Sequence, residues 1–290
     1  MRIGITGASG FIASHLIPRL REKGHTCFAF SRNSSRQVDG CEETRALSGH
    51  ASPDLRGLDA LVNLAGESIQ GFWTEKKKQR IRASRINLTR ALVAALPDSA
   101  VRILVSGSAT GFYGDRGNEV LPESAPRGEG FLADVSVDWE NAALAAEQHN
   151  VRVALLRTGF VVAANGGAMD KIRPLFRLGL GGRLGSGQQW MPWVHLDDVC
   201  GLCVHLLEND SLRGPFNAVA PHPVTNAEFT KTLATALHRP AILPVPAFAL
   251  RLALGDLSSL LLDSTRAAPE FTSASGYRFQ HERLAGALTG

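Results

Sequence analysis

Four cysteines, three methionines and two tyrosines are all that 290 residues contain of these types. Four thiols do not make a disulfide framework in a chain this long, so a hydrophobic core must hold the fold. Cys200 and Cys203 form a C-x-x-C, but no second such pair exists and the surrounding "DDVCGLCVHLLE" is an apolar helical stretch. Both are read as core residues, because buried cysteine behaves as a small hydrophobe. Long apolar runs are also missing. The best one, "PAFALRLALGDLSSLLL" at 246–262, is broken by Arg251, Gly255 and Asp256, so no membrane span is expected. No targeting segment is legible ahead of the first strand-like run, which makes a cytoplasmic location the expectation. The net charge is only +4. That permits an anionic ligand, but no basic stripe with interleaved aromatics argues for nucleic acid. The one basic run, at 75–85, falls in a helical pattern and reads as a solvated face. No His/Cys/Asp/Glu cluster has metal-ligand spacing, and no G-x-S-x-G nucleophile elbow occurs.

What is present is an alternation. Apolar strand-like runs at 2–6, 25–30, 59–65, 101–106 and 151–156 are separated by helix patterns at about 10–22, 74–96 and 133–149. Strands hydrophobic on both faces belong to a parallel sheet, and the alternation implies right-handed β-α-β units. Pro18 is expected to kink the first helix or end it early. After Thr158 the pattern loosens. "GLGGRLGSGQQ" at 179–189 reads as a mobile flap, Asp197 or Asp198 as a helix N-cap, 215–219 as a further strand and "TNAEF" at 225–229 as a cap leading into a helix. The expected fold is α/β: a Rossmann-type doubly wound parallel sheet over 1–160, with 190–220 returning to it. A smaller C-terminal α/β substrate-binding region covers 161–290.

"GITGASGFIASHL" at 4–16 carries the chemistry. Gly7, Gly10 and Ala13 follow a strand and open a helix, a turn that aims backbone N–H groups and a positive helix end at one point, where a phosphate fits. Ala13 stands where a third glycine is usual, and the fingerprint accepts it. Ser9, Phe11 and Ile12 would flank the pyrophosphate, and Leu64, Ala65, Gly66 and Glu67 would line the next loop. Glu67 is open between a base and a helix cap. The second strand ends "CFAFSRNSSR" with no carboxylate to hold a ribose 2′-hydroxyl. Ser31, Arg32 and Arg36 stand there instead, and a guanidinium binds a 2′-phosphate. The expected cofactor is NADP(H).

"TGASGFIASHL", "NLAGE" at 63–67, "SGSATGFYGD" at 106–115 and "WVHLDDV" at 193–199 resemble the extended short-chain dehydrogenase/reductase superfamily, which includes the nucleotide-sugar epimerases. More narrowly, "NLAGESIQGFWTEKKKQRIRASR", "LRTGFVV", "FRLGLGGRLGSGQQWMPWVHLDD" and "NAVAPHPVTNAEF" are similar to its atypical branch of epimerase family proteins. The resemblance implies NADP(H) binding and a Ser, Tyr and Lys around the nicotinamide. The Ser matches Ser108, with Ser106 and Gly107 beside the cofactor. Leu132 and Ser136 stand where the Tyr and Lys would be, and no Tyr or Lys occurs between 114 and 170. Loss of a general acid–base costs roughly 10²–10⁴ in rate, so the sugar-epimerase mechanism does not transfer whole. Tyr113, five residues past Ser108, is the first choice of replacement acid, against a ring that merely packs. The resemblance also matches Asn87 to a helix asparagine near the catalytic residues and takes Thr158, Gly159 and Val161 past the nicotinamide amide. Homodimers are common in the superfamily.

Helical spacing puts Arg80 and Asn87 on one face, where Arg80 would meet an anionic substrate or form a salt bridge. Arg157 closes a strand at the cofactor edge of the sheet. Trp73, Trp190 and Trp193 would form a stacking pocket or pack in the core, and His195 would titrate near neutral pH or hydrogen-bond structurally. The reading is an NADP(H)-dependent oxidoreductase on a small molecule; the alternative is a non-catalytic NADP(H)-bound sensor or regulatory module. Replacing Arg32 with Ala is expected to weaken NADPH roughly ten- to a hundredfold, the loss of one charge-assisted contact, while NADH hardly changes. Fluorescence titration with both nucleotides checks this, and equal losses would remove the 2′-phosphate role.

Overall fold

The computed structural model describes residues 1–35, 37–47 and 52–289. In chain order its first part runs β1 (Arg2–Thr6), α1 (Phe11–Glu22), β2 (Thr26–Ser31), β3 (Glu43–Ala46), β4 (Ala60–Asn63), α2 (Glu75–Ala94), β5 (Ile103–Ala109), β6 (Val120–Leu121), α3 (Phe131–Leu144) and β7 (Arg152–Thr158). The rest runs β8 (Phe160–Val162), α4 (Met169–Arg177), β9 (Trp190–Met191), β10 (Trp193–His195), α5 (Leu196–Glu208), β11 (Gly214–Ala218), β12 (Val224–Thr225), α6 (Asn226–Ala236), α7 (Ala247–Leu254), α8 (Ser259–Leu262), β13 (Arg266–Ala267), α9 (Glu270–Ala274) and α10 (Leu284–Thr289).

Seven strands form one parallel sheet in the order β11-β7-β5-β4-β1-β2-β3. Successive side chains leave a strand on opposite faces, and both faces here are apolar. Ile3, Ile5, Val62 and Leu156 pack with Leu16 and Leu20 of α1 and Val199 and Leu202 of α5. Leu61, Leu104, Val153 and Leu155 pack on the other side with Leu92 of α2 and Ala143 of α3. The chain runs outward from β1 to β3, then crosses back to β4 on β1's other side. Strand order therefore reverses between β1 and β4, and a crevice opens at their carboxyl ends, where ligands of such sheets bind.

Four expectations need correction. β3 lies outside the five strand runs read in the first half; "ETRA" has no apolar run to mark it, and it is held as an edge strand by pairing with β2. α1 runs through Pro18 to Glu22, so Pro18 does not end the helix early. Ser14 and Pro18 both lie exposed, so the Ser14 carbonyl that Pro18 leaves without an amide partner faces solvent. α5 is capped by His195, whose Nδ1 accepts the Asp197 N–H at 3.2 Å, and not by Asp197 or Asp198. The 179–189 segment is tied down: Leu184 bridges Val245, and Gln189 Nε2 donates to the carbonyls of Leu184 and Leu261 at 3.1 and 2.9 Å. Thr225 caps α6 in a full capping box with Glu228.

Asp198, buried in the first turn of α5, fastens the end of the chain. Its carboxylate accepts the Tyr277 hydroxyl at 3.1 Å and the N–H groups of Gln280 and His281 at 2.7 and 3.0 Å. Hydrogen bonds to a charged acceptor contribute about 1.5–3 kcal/mol each. Asp198→Ala should therefore cost at least about 3 kcal/mol in urea unfolding and make residues 277–289 sensitive to protease; an unchanged urea midpoint would contradict this anchoring.

Candidate functional site

The turn after β1 is built for close approach. Gly7 takes φ +67°, and a Cβ there would stand 2.9 Å from the Ala65 nitrogen and Leu64 carbonyl oxygen of the loop after β4. A Cβ on Gly10 would meet the Gly7 oxygen at 2.9 Å, and the Gly10 N–H donates to that oxygen at 2.8 Å. Gly10 is the N-cap of α1, no side chain caps it, and the first turn holds no acidic residue. The first amides of α1 thus point out of the helix without a side-chain acceptor, which suits an anion. Ser9 is exposed on this turn, and half-buried Ser31 and exposed Arg32 stand at the end of β2. Arg36 lies outside the described residues.

Beside the turn opens a cavity of about 1100 Å³. Ile12, Leu64, Gly107, Ser108 and Gly159 line it near the sheet, with Leu132 and Ser136 of α3 opposite. Leu132 and Ser136 thus occupy cavity wall, where they supply neither a phenol nor a cation. Trp73 and Trp190 line it as well. The outer wall is not the 179–189 segment but residues from Arg251 to Asp263. Burial and the neighbouring Asp115 carboxylate push the Asp263 carboxyl up to about 6, against the lowering effect of Arg251. Nothing in the sequence around Asp263 marks it as a cleft residue.

Ser108, itself buried, is where a buried polar network reaches the cavity wall. Its Oγ donates to Glu140 Oε1 at 2.6 Å. Arg157 grips the same carboxylate with two bonds, Nε to Oε1 at 2.8 Å and Nη2 to Oε2 at 2.9 Å. Its Nη1 donates to the Tyr113 hydroxyl at 2.9 Å and the Glu123 carbonyl at 3.1 Å. Arg157 is therefore committed inside the protein and is not free for the cofactor, contrary to expectation. Tyr113 is also corrected. It is fully buried, its hydroxyl donates to Asn217 Oδ1 at 2.8 Å, and burial pushes its pKa up. Its ring packs with Leu121 and Val219, and it is not a wall of the cavity. Glu140 escaped the sequence reading because a carboxylate inside a helix pattern normally marks the solvated face.

Other expectations move by a turn of helix or one residue. Arg80 is exposed, 4.0 Å from Glu67, and Asn87 is exposed on α2 away from the cavity. Arg85 lines the cavity instead, donating to the Glu67 carbonyl at 3.0 Å with its guanidinium 5.3 Å from the Trp139 ring. Gly66 fits this because a Cβ would press on that guanidinium at 2.9 Å. Lys77 Nζ sits 2.8 Å from the Glu67 carboxylate and holds its pKa down, which weakens Glu67 as a base. Ser106 is buried in the sheet, its Oγ donating to the Gly107 carbonyl at 3.3 Å. Phe11 packs against Gly166 and Gly167, where a Cβ would meet its ring. Val161 packs on the core in β8 while its neighbour Phe160 lines the cavity. Trp193 is buried, donating Nε1 to the His222 carbonyl at 3.1 Å, and His195 is engaged as the α5 cap; neither lines the cavity. Cys200 and Cys203 are buried and free, and burial pushes the Cys200 thiol up to about 12. Among the described residues no helix is long and apolar enough to cross a membrane.

Comparison with known proteins fits this geometry. Residues 245–289 match a domain of unknown function, DUF1731. The Epimerase family protein MT2273 of Mycobacterium tuberculosis is 40% identical over 291 residues, covering 99% of this chain and 96% of that protein. The chloroplastic epimerase family protein SDR39U1 homolog of Arabidopsis thaliana is 36% identical over 298 residues, covering 99% and 86%. The crystal structure of human epimerase family protein SDR39U1 (isoform2) with NADPH superposes with a TM-score of 0.89 at 31% identity, covering 100% of this chain and 98% of that one. With residues 3–218 matching its model and relatives of this similarity along nearly its whole length, the chain belongs to the NAD dependent epimerase/dehydratase family.

Proposed function

We propose that the chain is an NADP(H)-binding oxidoreductase acting on a small molecule in the cavity beside Ser108. The observation that carries this reading is the uncapped start of α1 under the Gly7–Gly10 turn, opening onto the same cavity as Ser108. The human relative solved with NADPH supports the choice of cofactor. Backbone amides of the Gly7–Ile12 turn hold the pyrophosphate, and Arg32 neutralises the 2′-phosphate. When bound, NADPH supplies a hydride. Trp73, Leu132 and Trp190 exclude water from the cavity, and Ser108, oriented by Glu140, holds the substrate oxygen. The 1–160 portion with 190–220 carries the cofactor, and 161–290 closes the substrate side.

Leu132 and Ser136 favour a second reading, an NADP(H)-bound sensor without turnover, because they leave no phenol–ammonium pair beside Ser108. NADPH oxidation across a panel of carbonyls and quinones separates the two. Turnover is expected, reduced roughly 10²-fold or more in Ser108→Ala, as when one donor to a developing oxyanion is removed. Tyr113→Phe should stay within a few-fold of wild type, since its hydroxyl serves the buried network. Stoichiometric NADPH binding with no turnover on any member of the panel would select the sensor.

Asp263 adds a pH signature. Its raised pKa means that the folded form binds a proton more tightly than the unfolded chain. The resulting stability is fully present below the ordinary carboxyl range, at about pH 4, and is lost as pH rises through about 6. Asp263→Asn should therefore melt with wild type in acid and above wild type at pH 7. A melting difference that persists below about pH 4 would refute this assignment.

A further inference from the structure

Outside the cleft, the fold gathers two histidines and an aspartate that lie far apart in sequence. We propose that His195, Asp197 and His281 form a binding site for a divalent transition-metal ion of the zinc class. Nδ1 of His195 and Nε2 of His281 each lie 3.4 Å from Oδ2 of Asp197. One donor atom from each residue lies within 4.8 Å of the others. A triangle with edges of this size surrounds a point roughly 2.0–2.4 Å from each donor, against zinc bonds of about 2.0–2.2 Å to imidazole and carboxylate. Two imidazoles and one carboxylate suit zinc, cobalt or nickel and disfavour magnesium and calcium, which prefer all-oxygen sets.

The donors are held in place by the protein itself. His195 ends β10, which pairs with β8. Asp197 lies in the first turn of α5, and Arg19 of α1 binds its other oxygen, Oδ1, leaving Oδ2 toward the histidines. The His281 backbone is fixed by its N–H to Asp198 Oδ2 at 3.0 Å. Outer-shell bonds of this kind orient ligands and strengthen their hold on a metal. The two imidazole rings face each other with centroids 3.8 Å apart. The side chains of His195, Asp197 and His281 are 11%, 34% and 24% exposed, so the group is reachable and leaves room for water at a fourth position. Carboxylates of Asp197 and Asp198 outweigh the Arg19 cation nearby. Metal binding exchanges the Asp197 N–H on His195 Nδ1 for the ion. A bound ion would tie the end of the chain, through His281, to α5 and α1. Sequence spacing alone pointed to no such cluster, because His281 is remote from the 195–197 pair.

The test uses the full chain without a tag, stripped with EDTA and titrated with Co²⁺ and then Zn²⁺. One equivalent of Co²⁺ should give visible d–d absorption that Zn²⁺ abolishes, and Zn²⁺ should raise the melting temperature. His281→Ala, at a partly exposed position, should keep the fold while weakening Zn²⁺ at least roughly tenfold and erasing the thermal shift. Asp197→Asn is the second variant and should behave alike. Failure of wild type to bind one equivalent at tens of micromolar Zn²⁺, or undiminished binding in His281→Ala, would overturn the site. Neither outcome depends on redox activity.

Discussion

A guanidinium buried at the carboxyl edge of the sheet governs the arrangement of everything around it. Arg157 cannot keep its charge out of water unless each face and donor is satisfied, since removing one partner of a buried ion pair costs roughly 3–5 kcal/mol. Glu140 takes two of its bonds, Tyr113 and the Glu123 carbonyl take two more, and the Phe112 ring covers one face with its centroid 3.5 Å away. The requirement spreads outward. Glu123 accepts the N–H of Asn217 in β11 and the N–H groups of Phe271 and Thr272 in α9. Asn217 in turn accepts from Tyr113. One buried charge thus ties β7, α3, β11 and α9 into a single network, and among the described residues Ser108 is its only member that lines the cavity.

The cofactor edge is electrostatically different. There the groups are partly wet, and the arrangement works by keeping negative charge out. Glu67, in the loop after β4, is matched by Lys77 at 2.8 Å and Arg80 at 4.0 Å, and Arg32 also lowers its pKa. Arg85 points along the same wall and stays cationic, even though burial lowers its pKa. Amides at the start of α1 add the positive end of a helix dipole. An anionic ligand meets no repulsion on this side, whereas the outer wall carries Asp256 and Asp263.

The sheet and the glycine turn were legible because both rest on local signals. Apolar runs mark buried parallel strands, and Gly7 needs a backbone conformation that side chains resist. β3 was not legible, since an edge strand held by pairing needs no apolar pattern. The site was harder to read for one physical reason: which face of an element a residue takes is decided by packing between elements. Tyr113 follows Ser108 closely in sequence, yet the short turn after β5 folds its ring inward toward Arg157. Arg80 and Arg85 differ by little more than a helical turn, and only the latter reaches the cavity. Glu140 lies one helical turn beyond Ser136, but no pattern in the chain announces a buried carboxylate. Trp193 and His195 sit in a motif with functional associations and are used for packing and capping.

Ser108 now bears on the direction of chemistry. A serine hydroxyl has one proton and two lone pairs. Here the proton is spent inward on Glu140, whose two carboxylate oxygens Arg157 also grips. The lone pairs are then what Ser108 offers to the cavity, and a lone pair accepts from a hydroxyl but repels a carbonyl oxygen. The resting arrangement therefore complements an alcohol better than a ketone. To serve a carbonyl, the Ser108 hydroxyl must turn away from Glu140, leaving that carboxylate with Arg157 alone. This rotation is inexpensive only because Arg157 already satisfies both carboxylate oxygens. The Glu140–Arg157 pair thus leaves one hydroxyl able to turn between accepting and donating.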